Sequence, residues 1–171
     1  DPTKPETPYA ASKLCAEALA LASGRDVVLL RPFNHTGPGQ SEAYVCPRIA
    51  RQIARAEVGR GPANLAISNL SPRRDFFDVR DMARAYLAAA ERGRRGEIYN
   101  VATGAPVSIG RILRLLVGYS PIHLRVKGMN GPETTLSGDP SKFKRDTGWK
   151  ATIPLEQTLR DLLTSERTLL A

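Results

Sequence analysis

Apolar residues recur along the chain at two spacings, one typical of helices and the other of strands. Apolar positions three and four residues apart predict helices over 44–58, 81–92 and 109–117, and a last helix from about 155 onward. In the helix over 81–92 we expect Met82, Ala85, Tyr86 and Ala89 to face inward. Short apolar runs predict strands over 27–30, 65–67, 98–102 and 123–126. Helices that alternate with strands in this way are typical of an α/β protein.

Residues that begin or end helices flank several of these segments. An alanine-rich segment over 9–23 predicts a further helix, and Gly24 is placed to end it. Ser108 stands where it can cap the helix over 109–117. Asp139 and Pro140 predict the start of a short helix that ends at Gly148, and Trp149 is expected to cover the edge of a core.

The apolar strand predicted over 27–30 is followed by a segment rich in proline, glycine and polar side chains. Strands this apolar are typical of buried parallel sheets, in which ligands bind outside the carboxyl ends of the strands. We therefore expect substrate contacts from the loop over 31–40. Two prolines stiffen this loop, and Gly37 and Gly39 allow close approach of its backbone. Asn34 could contact phosphate or carbonyl oxygens, or Asn34 and His35 could only satisfy the backbone of the turn.

Tyr9 and Lys13 stand four residues apart, immediately after Pro8. On a helix this spacing places both side chains on one face. A lysine cation beside a phenol favours the ionised form of the phenol, so the pair could exchange a proton with a carbonyl or an alcohol. Lys13 could hold a hydroxyl of a cofactor as well. The same spacing is common on ordinary solvated helices, so these two residues by themselves do not establish catalysis.

Composition narrows the classes of function. A chain of 171 residues with 42% hydrophobic and 25% charged residues is long enough for one compact domain or for parts of two. No apolar run approaches the roughly 20 residues of a membrane span, so no membrane partner is expected. The two cysteines and two histidines have no metal-site spacing, and we predict no metal, reduced thiols and a cytoplasmic protein. The net charge of +8 comes from scattered basic residues, so no nucleic-acid partner is predicted.

Five motifs together resemble the extended short-chain dehydrogenase/reductases that act on nucleotide sugars. They are Pro-Tyr-Ala-x-Ser-Lys at 8–13, Arg-Pro-Phe-Asn-His-x-Gly-Pro-Gly-Gln at 31–40, Arg-Asp-Phe at 74–76, Tyr-Asn-Val at 99–101 and Gly-Asp-Pro-Ser-Lys at 138–142. Within this group the segment at 33–40 is most similar to the GDP-4-dehydro-6-deoxy-D-mannose reductases. The resemblance runs through nearly the whole chain.

The resemblance implies the C-terminal part of a Rossmann-type parallel sheet plus a small mixed α/β substrate-binding lobe. We expect 1–31 and about 81–118 to belong to the NAD(P)-binding domain, and about 32–80 and 119–171 to form the substrate lobe. The sequence has no Gly-x-Gly-x-x-Gly after a strand, although that element binds the pyrophosphate of such cofactors. We therefore expect the chain to be the C-terminal half of a larger enzyme and to be inactive in isolation.

The resemblance also implies roles for individual residues. Tyr9 and Lys13 are expected to be catalytic, and to bind NADP or NAD together with Pro32 and Phe33. The expected substrate is a nucleotide sugar, with GDP as the nucleotide, and its 4-keto group is reduced. A 4,6-dehydratase, a 4-epimerase and a non-catalytic nucleotide-sugar-binding module stay open as alternatives, and the resemblance allows a homodimer.

Four residues are expected to contact this substrate, namely Asn34, His35, Arg74 and Lys127. Arg74 matches an arginine that binds phosphate in the family, although it could instead form a structural ion pair with Asp78 or Asp81. Related enzymes often carry a second phosphate-binding arginine in an Arg-Pro-x-(Asp/Glu) turn. Here that turn reads Met-Asn-Gly-Pro-Glu at 129–133, and Lys127 is the cation that could replace the arginine.

Overall fold

The computed structural model describes residues 4–171, which form six helices and nine strands. The helices are α1 (Pro8–Ala22), α2 (Val45–Glu57), α3 (Val79–Arg92), α4 (Ile109–Gly118), α5 (Ser141–Thr147) and α6 (Leu155–Thr168). The strands are β1 (Leu29–Pro32), β2 (Asn34–Thr36), β3 (Asn64–Ile67), β4 (Arg73–Arg74), β5 (Phe76–Asp78), β6 (Ile98–Val101), β7 (Val107–Ser108), β8 (Arg125–Gly128) and β9 (Thr135–Leu136). The predicted α/β class is confirmed.

The strands pair in four small sheets, and most of the pairs are parallel. Parallel pairs join β1 to β6, β2 to β5 and β3 to β8. In the fourth sheet β4 lies between β7, which is antiparallel to it, and β9, which is parallel. Parallel neighbours need long crossover connections, and here helices and other strands lie between the paired segments.

Two hydrophobic clusters form the core. The first lies among α2, α4 and α6, and Ile53, Leu116 and Leu162 are fully buried in it. The second joins α3, α5 and β6 and is rich in aromatic side chains, namely Phe77, Tyr99, Phe143 and Trp149. Helix α4, which was assigned to the nucleotide-binding domain, thus packs against elements of the predicted substrate lobe. Helix α5, which was assigned to the substrate lobe, packs against elements of the predicted nucleotide-binding domain. The domain boundaries given above stay a prediction.

Two strand predictions and one loop prediction need correction. The strand predicted over 27–30 begins two residues later, because the Leu29 amide donates to the Glu97 carbonyl and the ladder to β6 starts there. Residues 29–31 are half-buried rather than buried. The segment over 31–40, predicted as a loop, contains the end of β1 and all of β2. The strand predicted over 123–126 is β8, which begins at Arg125 and pairs with β3.

The carboxyl ends of α1 and α5 agree with the sequence signals, while two side chains do not lie where they were expected. Gly24 and Gly148 adopt positive φ angles of 70° and 73° just beyond α1 and α5. Tyr86 is 57% exposed and does not face inward, because the buried face of α3 is rotated towards Asp81 and Ala88. Trp149 is only 6% exposed and lies inside the second cluster rather than at its edge.

Candidate functional site

A cleft of about 1160 Å³ opens beside the carboxyl end of β1. Its walls come from β1 and β2, from the start of α2, and from the segment over 136–139, with Tyr9 of α1 at the side. Five of the residues predicted to bind cofactor or substrate line it together, namely Tyr9, Pro32, Phe33, Asn34 and His35. This is the edge at which ligands of parallel sheets bind.

Tyr9 and Lys13 lie in the first two turns of α1. The Thr7 hydroxyl accepts a hydrogen bond from the Ala10 amide and begins this helix, and Pro8 follows at its first position. The ammonium of Lys13 lies 5.3 Å from the centre of the Tyr9 ring, so the two side chains share one face as predicted. The Tyr9 side chain is 72% exposed. Its phenol is therefore accessible from the cleft.

The polar segment after β1 comprises β2 and the turn that follows it. Hydrogen bonds from its own side chains stabilise this segment. Gln40 donates a hydrogen bond to the His35 carbonyl (3.1 Å) and accepts one from the Thr36 hydroxyl (2.7 Å). Nδ1 of His35 lies 3.2 Å from the Phe33 carbonyl oxygen, so part of its hydrogen-bonding capacity is used within its own segment. The exposed Asn34 amide makes no hydrogen bond to any residue from Lys4 onward. It is available to a ligand in the cleft.

Arg74 and Lys127 lie outside this lining. The Arg74 guanidinium donates to the Thr134 carbonyl (2.8 Å) and hydroxyl (3.0 Å), and forms neither of the ion pairs considered for it. Arg74 on β4 pairs with Leu136 on the adjacent strand β9, and Leu136 lines the cleft. Arg74 therefore lies near the rim of the cleft. Lys127 is exposed on β8, a strand that contributes no residue to the cleft.

The carboxylate of Asp75 organises one wall of the cleft, a role that the sequence did not reveal. Asp75 is fully buried and accepts hydrogen bonds from the Thr103 amide (2.9 Å) and hydroxyl (2.6 Å), the Gly104 amide (2.8 Å) and the Gly138 amide (3.4 Å). Gly138 lies so close to Phe33 that an added Cβ would come within 2.6 Å of the Phe33 ring. Asp75 therefore holds the segment over 137–139 against the predicted cofactor residues.

Glu17 and Arg31 are a second feature that the sequence did not reveal. The Arg31 guanidinium binds both carboxylate oxygens of Glu17, at 2.8 and 2.6 Å, and so joins α1 to β1. The hydrogen bond from Arg31 lowers the pKa of Glu17, and the same bond raises the pKa of Arg31. Only the position of Glu17, four residues after Lys13, could have indicated that it faces the same region.

Two other ionisable groups of the cleft depart from their ordinary pKa. Burial raises the pKa of the Cys46 thiol to about 12, so this cleft-lining cysteine is a neutral thiol at physiological pH. Hydrogen bonds from Ser141 lower the pKa of Asp139 at the start of α5. Asp139 was expected at the N-cap with Pro140 following it inside the helix, but Pro140 itself occupies the N-cap. Asp139 thus presents a charged carboxylate to the cleft.

Metal-ligating groups do not cluster in the described part of the chain. Residues 4–171 contain no group of three histidine, cysteine, aspartate or glutamate side chains that could hold a metal ion. Cys15 and Cys46 are both free thiols, the first exposed and the second buried. No helix within this range has the length and apolar character needed to cross a membrane.

Known proteins with similar sequences include a reductase and a dehydrogenase of deoxyhexoses. The chain is 36% identical to the GDP-6-deoxy-D-mannose reductase of Pseudomonas aeruginosa, over 93% of this chain and 55% of the relative. It is 30% identical to the dTDP-6-deoxy-L-talose 4-dehydrogenase (NAD(P)(+)) of Kitasatospora kifunensis, over 98% of this chain and 56% of the relative. The chain thus spans little more than half the length of these two proteins.

A solved structure supports the same relationship. The structure of RMD from Pseudomonas aeruginosa, complexed with NADPH, superposes with a TM-score of 0.93 at 34% identity and covers 98% of this chain and 59% of its own. Residues 1–102 match the family described as NAD dependent epimerase/dehydratase. The resemblance inferred from the motifs is confirmed, and the chain belongs to the NAD dependent epimerase/dehydratase family.

Proposed function

We propose that this chain supplies the catalytic tyrosine and the substrate lobe of an enzyme that reduces the 4-keto group of a GDP-4-dehydro-6-deoxyhexose with NAD(P)H. The observation that carries the proposal is the shared cleft, which both Tyr9 and Asn34 line, with Lys13 beside the Tyr9 ring. The similarity to a GDP-6-deoxy-D-mannose reductase supports the reaction and the nucleotide.

The residues present fit a nicotinamide cofactor. Tyr9 and Lys13 offer a hydroxyl and an ammonium side by side, and Pro32 and Phe33 provide an apolar surface next to them. Lys13 would hold a ribose hydroxyl, and the two apolar residues would lie along the nicotinamide ring. When bound, the reduced cofactor supplies the hydride for the carbonyl carbon.

Tyr9 has the central chemical role in this proposal. In its protonated form it donates to the oxygen of the substrate carbonyl as that oxygen gains negative charge. The positive charge of Lys13 stabilises the phenolate that remains. Asn34 donates from its amide to a phosphate or carbonyl oxygen and fixes the orientation of the sugar.

Binding of the nucleotide diphosphate is assigned to the remaining predicted residues. Arg74 lies near the rim of the cleft and would exchange its contacts to Thr134 for a phosphate. His35 would contact the sugar through the ring nitrogen that does not face Phe33. Lys127 lies outside the lining of the cleft, so its proposed role is to attract the diphosphate at long range through its positive charge.

The test uses an enzyme that contains this chain together with a cofactor-binding segment. Tyr9→Phe should lower turnover of the keto sugar by about 10²-fold or more, since the proton donor is lost, while affinity for the nucleotide sugar stays nearly unchanged. Tyr86→Phe is the matched control, because Tyr86 is similarly exposed but lies outside the cleft. Equal turnover in the two variants would contradict the role of Tyr9.

Cofactor stoichiometry separates the reductase from its rivals. A reductase oxidises one NAD(P)H for each sugar reduced, whereas a 4,6-dehydratase or 4-epimerase turns over with no net oxidation. Turnover without net oxidation would exclude the reductase.

Isothermal calorimetry on the 171-residue chain tests the remaining alternative, a binding module without catalysis. We expect no micromolar binding of NADPH and no turnover by the isolated chain. Binding of a GDP-sugar alone would favour the module. Micromolar binding of NADPH would contradict the expectation that the cofactor needs further sequence.

A further inference from the structure

Helix α1 carries the two proposed catalytic side chains, and an ion pair joins it to β1. None of its residues is fully buried against residues 4–171, although Leu14 and Ala20 are half-buried. The side-chain contact that joins it to a strand is the pair between Glu17 and Arg31. These side chains are 21% and 33% exposed, which shields the pair partly from water.

Three polar residues of α1 on the side of the helix that carries Glu17 are spaced four residues apart. Tyr9, Lys13 and Glu17 form one row along the helix, in which each side chain neighbours the next. Lys13 thus has two possible partners, the Tyr9 ring on one side and the Glu17 carboxylate on the other. The structure shows it beside Tyr9, with no ion pair to any residue from Lys4 onward.

The geometry of the pair explains this choice. Arg31 binds one oxygen of Glu17 through Nε and the other through Nη2, so both carboxylate oxygens are occupied. Arg31 also lies on β1, at the lining of the cleft, and its strand position is fixed by the ladder to β6. The guanidinium is therefore a fixed partner that competes with Lys13 for Glu17.

We propose that Arg31 is a positioning residue that occupies Glu17 and so leaves Lys13 free to act beside Tyr9. The inference rests on the proposed function, because it assigns Lys13 its task. The lowered pKa of Glu17 agrees with this arrangement, since the carboxylate stays charged and paired.

Three variants of the enzyme test the proposal, namely Arg31→Gln, Glu17→Gln and the double variant. In Arg31→Gln the carboxylate of Glu17 is released and pairs with Lys13. We expect kcat to fall about two- to threefold with little change in KM, because a lysine four residues before a glutamate forms only a modest helical pair. The double variant should recover most of the loss and approach Glu17→Gln, since no carboxylate remains to attract Lys13.

Two results would overturn the inference. A double variant as impaired as Arg31→Gln would show that Arg31 does not act through Glu17. Equal losses in all three variants would show that the pair is only a structural tether. Glu156→Gln is the control, because it breaks an exposed pair with Arg111 outside the lining of the cleft and should leave kcat unchanged.

A second measurement does not require turnover. The rate at which an amine-reactive reagent modifies Lys13, followed by mass spectrometry, should fall in Arg31→Gln and recover in the double variant. The exposed Lys144 serves as the internal reference in every sample. No turnover by the unsubstituted enzyme would refute the proposed function alone, whereas an unchanged rate at Lys13 would refute the role of Arg31.

Discussion

The buried carboxylate of Asp75 permits a quantitative prediction. Asp75→Asn keeps the shape of the side chain but removes its charge and replaces one acceptor oxygen by an amino group. The carboxylate serves four donors, two of them from Thr103 and the others the amides of Gly104 and Gly138. In either orientation the asparagine turns its amino group towards at least one backbone N–H that then has no acceptor.

The cost follows from these contacts. A buried donor left without a partner costs about 1–3 kcal/mol, and hydrogen bonds to a charged acceptor are stronger than those to a neutral one by roughly 1 kcal/mol each. Burial of a neutral amide is easier than burial of a carboxylate, which offsets part of this loss. We expect the free energy of unfolding to decrease by about 2–4 kcal/mol.

Urea unfolding of the chain measures this change, with fluorescence of the single tryptophan, Trp149, as the signal. Trp149 is buried in the second cluster and reports its loss directly. Asp26→Asn is the control, because Asp26 is exposed and the substitution should change stability by less than about 0.5 kcal/mol. Hydrogen exchange should also become faster at 103–104 and 138. Unchanged stability together with unchanged exchange at these amides would refute the role given to Asp75.

Three further predictions concern other parts of the structure. Gly138→Ala should destabilise the chain by about 1–3 kcal/mol, which is the usual cost of overpacking. The new Cβ would lie only 2.5 Å from the Cβ of Ala102. Urea unfolding measures this change, and equal stability of the two proteins would contradict the prediction. A thiol reagent should modify Cys15 quickly and Cys46 only on unfolding, because burial raises the pKa of Cys46 to about 12. Rapid modification of both cysteines in the folded protein would contradict this prediction. Arg167 lowers the pKa of Glu57, so their pair stabilises the fold above the ordinary glutamate pKa of about 4.3 and loses this effect as pH falls through the lowered value. Glu57→Gln should remove that part of the acid dependence in melting curves recorded from pH 7 to pH 3, and identical curves would contradict it.

Local sequence was sufficient for the elements with strong periodicity and for residues that act through near neighbours. The apolar stripe of α2 predicted its buried face, on which Ile49 and Ile53 are inaccessible to solvent. The spacing of Tyr9 and Lys13 predicted their shared face, since four residues span about one helical turn. The turn after β2 was recognised from its glycine and proline residues, although β2 itself was not.

The remaining features depend on contacts between distant segments. The donors that surround Asp75 come from residues 103, 104 and 138, and no local pattern brings them together. Strand β2 has only three residues, too few to show an alternating pattern. Tyr86 was misplaced because the apolar positions of α3 include alanines, which leave the edge of its buried face undefined in the sequence.

The parallel pairing of the strands also affects how the chain folds. Leu29 pairs with Ile98, and Asn64 pairs with Arg125, so each ladder closes a loop of many residues before its hydrogen bonds can form. Phe143 and Trp149, near the end of the chain, complete a cluster whose other members lie on α3 and β6. A fold with such high contact order is expected to form slowly, with the helices appearing before the sheets. The cleft, which requires β1, β2 and the segment over 136–139 together, would then be among the last parts to form during refolding.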